Sequence, residues 1–220
     1  LWAQESLAHL ESIRRFELEF AQAYFPCAGR VLEVGAGTGW QASALQAQGL
    51  DVDAIDLSNS NYKDNRVFPV VDYDGHHIPF GDNTFDVVFS SNVLEHIPHV
   101  ATFQQEIHRV LKPGGVAVHI VPSSAWRFWT NITHILKSWK IPGIHGEHAT
   151  NALTEILLFR KNWWRRLFEE TGWQVVKVMP CPIFYTGRSI MGRRLSIHTR
   201  HRISQFLGGS SSLFVLRKIP

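Results

Sequence analysis

The stretch VLEVGAGTGW at residues 31–40 sets the terms for any fold of this chain. A short apolar run carrying one acid, Glu33, leads directly into glycines at 35, 37 and 39. Glycine at every second position leaves no side chains to pack, and it frees the backbone for a tight turn. The pattern reads as a strand, a bare loop and a helix beginning near Trp40, with amide N–H groups at the helix N-terminus turned toward a ligand. A nucleotide-like ligand suits such a loop. The dinucleotide fingerprint needs G-x-G-x-x-G, and here Trp40 stands where its last glycine belongs, which weighs against NAD.

The rest of the chain repeats the alternation of strand and helix. Residues 5–24 place Leu7, Leu10, Ile13, Phe16, Phe20 and Tyr24 near helical spacing, and Pro26 closes this leading helix. There follow RVLEV, a helix over about 40–48, DVDAIDL, VFPVVD, FDVVFSS, a helix over about 100–111, and GVAVHIVP. The turn KPGG at 112–115 is expected to stop a helix and launch that last strand. Such alternation implies a parallel sheet with helices on both faces. Beyond residue 122 the spacing predicts an aromatic helix over 123–140, an irregular stretch, a helix over about 160–171, the strand WQVVKVMP, a basic segment and a final strand SSLFVLRKI.

Composition narrows the function classes. No run of about eighteen uncharged apolar residues occurs, and the charged N-terminal segment does not read as a secretory signal. Cys27 and Cys181 lack metal-ligand spacing and suit a reducing compartment, so a cytoplasmic protein is expected and neither thiol is given a role. Charge is unevenly divided: residues 1–125 hold 7 bases against 15 acids, and residues 126–220 hold 15 bases against 4 acids. Arg160, Lys161, Arg165, Arg166, Arg188, Arg193, Arg194, Arg200 and Arg202 interleave with Trp126, Trp129, Trp139, Trp163 and Trp164. Such a half favours an anionic partner, while a solvated face balancing the acidic half is the plainer reading.

Acids at the strand ends refine the ligand. Asp56 closes DVDAIDL 21 residues after Gly35, where a carboxylate accepts hydrogen bonds from two ribose hydroxyls. Asp74, with Asp72 as its competitor, follows the third strand, where a carboxylate can accept from an adenine amino group.

Four stretches in order, VLEVGAGTG, DVDAIDLS, DYDGHHIPFGDNTFDVVFSSNVLEHI and LKPGGVAVHIVP, resemble the class I S-adenosylmethionine-dependent methyltransferases, in particular their small-molecule group, over roughly residues 28–122. The resemblance implies a Rossmann-like α/β sandwich of three layers, with a seven-stranded, mostly parallel sheet whose last strand is antiparallel. On that reading residues 1–220 are one domain: a leading helix at 1–27, a cofactor-binding half at 28–122, and an acceptor-side insert with closing strands at 123–220. It also implies S-adenosyl-L-methionine as cofactor. Glu33, Gly35, Ala36, Gly37 and Gly39 would line its methionine part. Asp56 and Leu57 would hold the ribose, and Asp74 with Gly75, or Asp72, the adenine. Ser90 or Ser91, and Asn92, would lie beside the sulfonium. The stretch DYDGHH departs from the family's usual spelling, Asp-Ala-Glu-x-Leu-Pro.

In-line methyl transfer to oxygen needs alignment, exclusion of water and a base for a hydroxyl of high pKa. IHGEH at 144–148 offers His145 as that base, Glu147 to orient it or to bind an acceptor hydroxyl, and His148 as a substitute, against the plainer reading of a polar loop. His96 is a second base. No metal site is expected, because His145, Glu147 and His148 lack i, i+4 spacing. The expected acceptor is small or lipid-linked and anionic, such as a saccharide intermediate of cell-envelope synthesis, methylated on oxygen. An isoprenoid quinone or a phospholipid is the alternative, and a non-catalytic binding module is the other class. The aromatic helix, FRKNWWRRLF and the basic stretch 188–202 would supply peripheral contact with the inner face of the membrane and a hold on phosphate, though tryptophans at helical spacing equally read as core. Nucleic acid is disfavoured, since no RNA-binding module is added.

Overall fold

The computed structural model of the protein describes residues 2–187 and 195–218, with side chains from residue 10 onward. Seven strands, β1 (Arg30–Val34), β2 (Asp51–Leu57), β3 (Val71–Tyr73), β4 (Phe85–Ser91), β5 (Leu111–Pro122), β6 (Trp173–Pro180) and β7 (Ser211–Lys218), form one sheet. Their order is β3-β2-β1-β4-β5-β7-β6. Neighbours from β3 through β5 pair in parallel, and β7 runs antiparallel to both β5 and β6. The helices are α1 (Trp2–Gln22), α2 (Trp40–Gln46), α3 (Val100–Val110), α4 (Ser124–Ser138), α5 (Thr154–Leu158), α6 (Lys161–Glu170) and α7 (Ile197–Leu207).

Alternation along the strands divides the core between two faces. Val31, Val87, Phe89, Val118, Ile120, Leu213 and Val215 pack with Ile13 and Leu18 of α1 and Ala42 and Leu45 of α2. Leu32, Val34, Val88, Ala117, Phe214 and Leu216 pack with Phe103 and Ile107 of α3 and Trp164 and Phe168 of α6. Each fully buried side chain of this size stabilises by about 1.5–3 kcal/mol relative to exposure.

Several sequence expectations change in the structure. KPGG does not precede the strand but lies inside β5, where the pairing with β4 shifts register and Gly114 takes a φ of 77°. VFPVVD shortens to the three residues of β3. In α6, Trp164 and Phe168 face the sheet as core while Arg165 and Arg166 point to solvent. Residues 197–202 of the basic stretch lie in α7, whose first turn is capped by Ser196. Within it Arg200 is buried and donates to the carbonyls of Leu195 and Phe184, so it is not offered to a phosphate. Arg188, Arg193 and Arg194 lie outside the described residues.

The sheet order reverses between β1 and β4: the chain leaves β1 outward through β2 and β3, then returns to the other side of β1. Ligands of open α/β sheets sit at such a switch point, beyond the carboxyl ends of the strands.

Candidate active site

Two loops meet at the switch point. Gly35 and Ala36 leave β1 with both amides donating to the Ile55 carbonyl, at 2.9 and 3.0 Å. A Cβ on Gly35 would come within 2.4 Å of the Val93 side chain, which follows β4. A Cβ on Gly39 would lie 2.7 Å from Phe68 Cβ, so the third glycine serves packing within the protein. At Gly37 (φ 57°) the nearest neighbour is the Tyr62 ring at 3.4 Å, and its backbone borders an open cleft.

The Asp56 carboxylate fastens this loop. It accepts from the Gly37 amide at 3.0 Å, the Ser60 hydroxyl at 2.8 Å and the Leu57 amide at 2.8 Å. Glu33 works from beneath: it is buried, one oxygen takes the Ala42 amide of α2, and Oε2 has no hydrogen-bond partner in the protein. The N-cap of α2 is Gly39, which has no side chain to cap the helix, so Glu33 supplies the missing acceptor. Burial pushes its carboxyl up to about 8.

The cleft has a volume of about 600 Å³, within the usual range for a small-molecule site. Of the residues singled out from sequence, Gly35, Gly37, Asp56, Leu57, Asp74, Gly75, Asn92 and His96 line it. Asp74 Oδ1 accepts from the amides of His77 and His76 at 2.7 and 2.8 Å, which hold its carboxyl below the usual range. Asn92 sits in the left-handed region at φ 55°, a conformation asparagine tolerates, and donates from Nδ2 to Ser91 Oγ.

Other choices fall elsewhere. Asp72 turns to Lys63 and Arg66, at 2.6 and 2.7 Å, and both hold its carboxyl low. Ser90 is buried under α6 and hydrogen-bonds His119 Nδ1 at 2.8 Å, on the same face of β4 as Val88. Ala36 belongs to the core on the opposite face. Tyr62, Tyr73, His76, Ile97 and His99 also line the cleft and were not expected from sequence. His76 and His99 stack at 4.1 Å, and His99 Nε2 lies 3.0 Å from the Gly75 carbonyl. Their apolar and polar neighbours are scattered over loops, where periodicity gives no signal.

The acceptor-side loop reaches the cleft through the turn Leu94–His96. His145 packs edge-on against His96, with centroids 4.7 Å apart, and against Trp126 at 4.7 Å. Glu147 does not orient His145 with its carboxylate; its backbone amide donates to the Glu95 carbonyl at 2.9 Å while its side chain is exposed. The loop is clamped from behind by buried Glu155, whose Oε1 accepts from the His145 and Gly146 amides at 2.7 and 2.6 Å. Glu155 Oε2 pairs with Arg127 Nε at 2.6 Å, and Arg127 also donates to the Gly143 carbonyl. His148 is half-buried next to Trp163. His145 keeps an exposed edge, and the desolvation of the rest of its ring, reinforced by His96 and the nearby guanidinium groups of Arg127 and Arg14, lowers it to about 4. Burial also lowers His96. Glu95 itself is fully buried, neither carboxylate oxygen has a hydrogen-bond partner among the described residues, and burial raises it to about 8.

A family model described as a methyltransferase domain matches residues 6–178. The chain belongs to the S-adenosylmethionine-dependent methyltransferases. Curated relatives of this methyltransferase include a ubiquinone biosynthesis O-methyltransferase of Thiobacillus denitrificans, 28% identical over 66% of this chain and 62% of the relative. A sterol 24-C-methyltransferase of Schizosaccharomyces pombe is 35% identical over 50% of this chain and 32% of its own. A biotin biosynthesis bifunctional protein of Cellvibrio japonicus is 33% identical over 40% of the chain. These matches span 18% to 62% of the relatives' own lengths. Among solved structures, an S-adenosylmethionine-dependent methyltransferase of Mesorhizobium loti superposes with a TM-score of 0.63 at 16% identity, covering 92% of this chain and 98% of that one. At such identity the likeness is one of fold.

The cofactor is S-adenosylmethionine, and the residues of the cleft suit it. Bare backbone at Gly37, the carboxylate of Asp56 and the exposed carboxylate of Asp74 offer acceptors and close approach along one continuous cavity.

Proposed function

We propose that this methyltransferase acts on an oxygen of an apolar or lipid-linked acceptor that enters the cleft beside His96 and His145. The cofactor supplies a methyl group on a positively charged sulfur. Asp56 takes the ribose hydroxyls, Asp74 and Gly75 meet the adenine, and Gly35 and Gly37 give the methionine part its backbone contacts. Asn92 and His96 line the same cleft. Both imidazoles are held unprotonated near neutrality, so their lone pairs are available to the acceptor's hydroxyl.

One observation carries the choice of acceptor. The segments flanking His145 expose large apolar side chains: Leu136, Trp139, Ile141, Ile144, Leu153 and Leu157, with Trp139 90% exposed. Lys137, Lys140 and Arg160 stand among them and are exposed as well. Apolar surface edged by cations suits a lipid whose head carries phosphate, including a lipid-linked saccharide of envelope synthesis. Peripheral contact with a membrane follows from the same surface; among the described residues no helix is long and apolar enough to cross one. The name of the ubiquinone biosynthesis relative supports an isoprenoid quinone as the second reading.

The test is transfer of radiolabelled methyl from S-adenosylmethionine into an extract of the source cells, followed by phase partition. Label entering the organic phase with wild type and not with Asp56→Ala is expected. Label confined to water-soluble small molecules would contradict a lipid-linked acceptor.

A further inference from the structure

We propose that Glu95, His96 and His145 form a divalent transition-metal site at the acceptor end of the cleft. One ligand atom from each lies within 4.8 Å of the other two. His96 Nε2 and Glu95 Oε1 are 3.9 Å apart. Bonds of about 2.1 Å to a common ion place ligand atoms roughly 3–4 Å from one another, so small side-chain rotations close the set. Residues 145, 147 and 148 alone gave no such geometry; the partners of His145 come from a turn fifty residues earlier.

Glu95 is the second, independent observation. It is fully buried with both oxygens unpartnered, next to two imidazoles. A buried carboxylate whose oxygens lack hydrogen bonds is costly even with the Arg14 charge felt nearby, and a bound cation offsets that cost. The surroundings hold the two ligand segments together without using the ligand atoms. Glu147 N–H donates to the Glu95 carbonyl, and Gly146 passes so close to that carbonyl that a Cβ there would lie 2.7 Å from it. Glu155, tied to Arg127, holds the His145 amide.

Two imidazoles and one carboxylate favour ions such as Zn²⁺, Mn²⁺ or Co²⁺ over Ca²⁺ or Mg²⁺, which prefer shells of oxygen. Three protein ligands leave coordination positions free. His96 is a wall of the cleft, so those positions take an acceptor hydroxyl or carboxylate, and with the ion bound it is the metal, in place of a free imidazole lone pair, that lowers the pKa of that hydroxyl. This role for the ion rests on the methyltransferase reading of the cleft; the ion site does not.

The experiment is a titration of tag-free, chelator-treated protein with Co²⁺, read by its visible d–d absorption, alongside a separate calorimetric titration with S-adenosylmethionine. One equivalent per chain is expected. Affinity should fall by at least about tenfold in His145→Ala, in His96→Asn and in Glu95→Gln, the last keeping the shape of the side chain while removing its charge. Far-UV circular dichroism of each variant checks that the fold persists. Absence of stoichiometric Co²⁺ binding by wild type, or binding that survives these substitutions in folded protein, overturns the site. Co²⁺ binding without cofactor binding would instead overturn the reading of the cleft and leave the metal site standing.

Discussion

At the scale of single residues, three glycines that look alike in sequence do different work. Gly39 (φ 78°) is forced by Phe68, and Gly37 (φ 57°) borders the cleft. Gly39→Ala should destabilise the protein by about 1–3 kcal/mol, from left-handed backbone and overlap together. Gly37→Ala should cost less stability and more cofactor affinity. Denaturant unfolding and calorimetry on both variants check this contrast, and equal effects in both assays would refute it. Glu33 gives a pH signature. Its folded-state carboxyl lies near 8 against an ordinary 4.5, so the folded protein holds a proton that the unfolded chain releases. The stability this provides is complete below about pH 4.5 and is lost as pH rises through 8. Glu33→Gln keeps the acceptor for Ala42 and should flatten the fall by an amount of the order of a few kcal/mol. Parallel stability curves for the two proteins between pH 5 and 8 would show that Glu33 is not the group responsible.

At the scale of elements, regular periodicity was readable and borrowed stability was not. β1, β2 and β4 follow apolar runs bounded by turn residues, and α3 follows its 3.6-residue stripe. α7 was missed because IHTRHRISQFL carries few apolar residues, and its stability comes from the Ser196 cap and from contacts such as Phe16 with His201. α5 is only five residues long, too short for a pattern, and Glu155 on it matters because of what it reaches. The surroundings of His145 are half visible: His145 and His96 stand out separately in the sequence, and their contact arises in a loop clamped by the buried Arg127–Glu155 pair. Breaking that pair with Arg127→Met should destabilise by about 3–5 kcal/mol, since it strands a buried carboxylate. Adding Glu155→Gln should recover part of the loss. A double variant no more stable than the single one, by urea unfolding, would show that the pair does not hold the loop.

At the scale of the whole molecule, the order of strands places the glycine loop and the β4 loop side by side, and that placement was implied by four motifs in the first half of the chain. The second half was less legible. Its count of bases overstated its surface charge, because Arg127 and Arg200 are buried and spend their donors on carbonyls or on Glu155. A buried cluster of Glu17, Arg14, Tyr185 and Ser211 joins α1 to the closing strands across more than 165 residues of sequence, beyond the reach of any local pattern. The central claim is that the cleft between these loops holds S-adenosylmethionine through Asp56. Calorimetric titration of wild type and Asp56→Ala with S-adenosylmethionine tests it most directly. One site per chain in wild type, weakened by about 10- to 100-fold in a variant that remains folded, is the predicted result. Equal affinity in the two proteins would place the cofactor elsewhere and contradict the account.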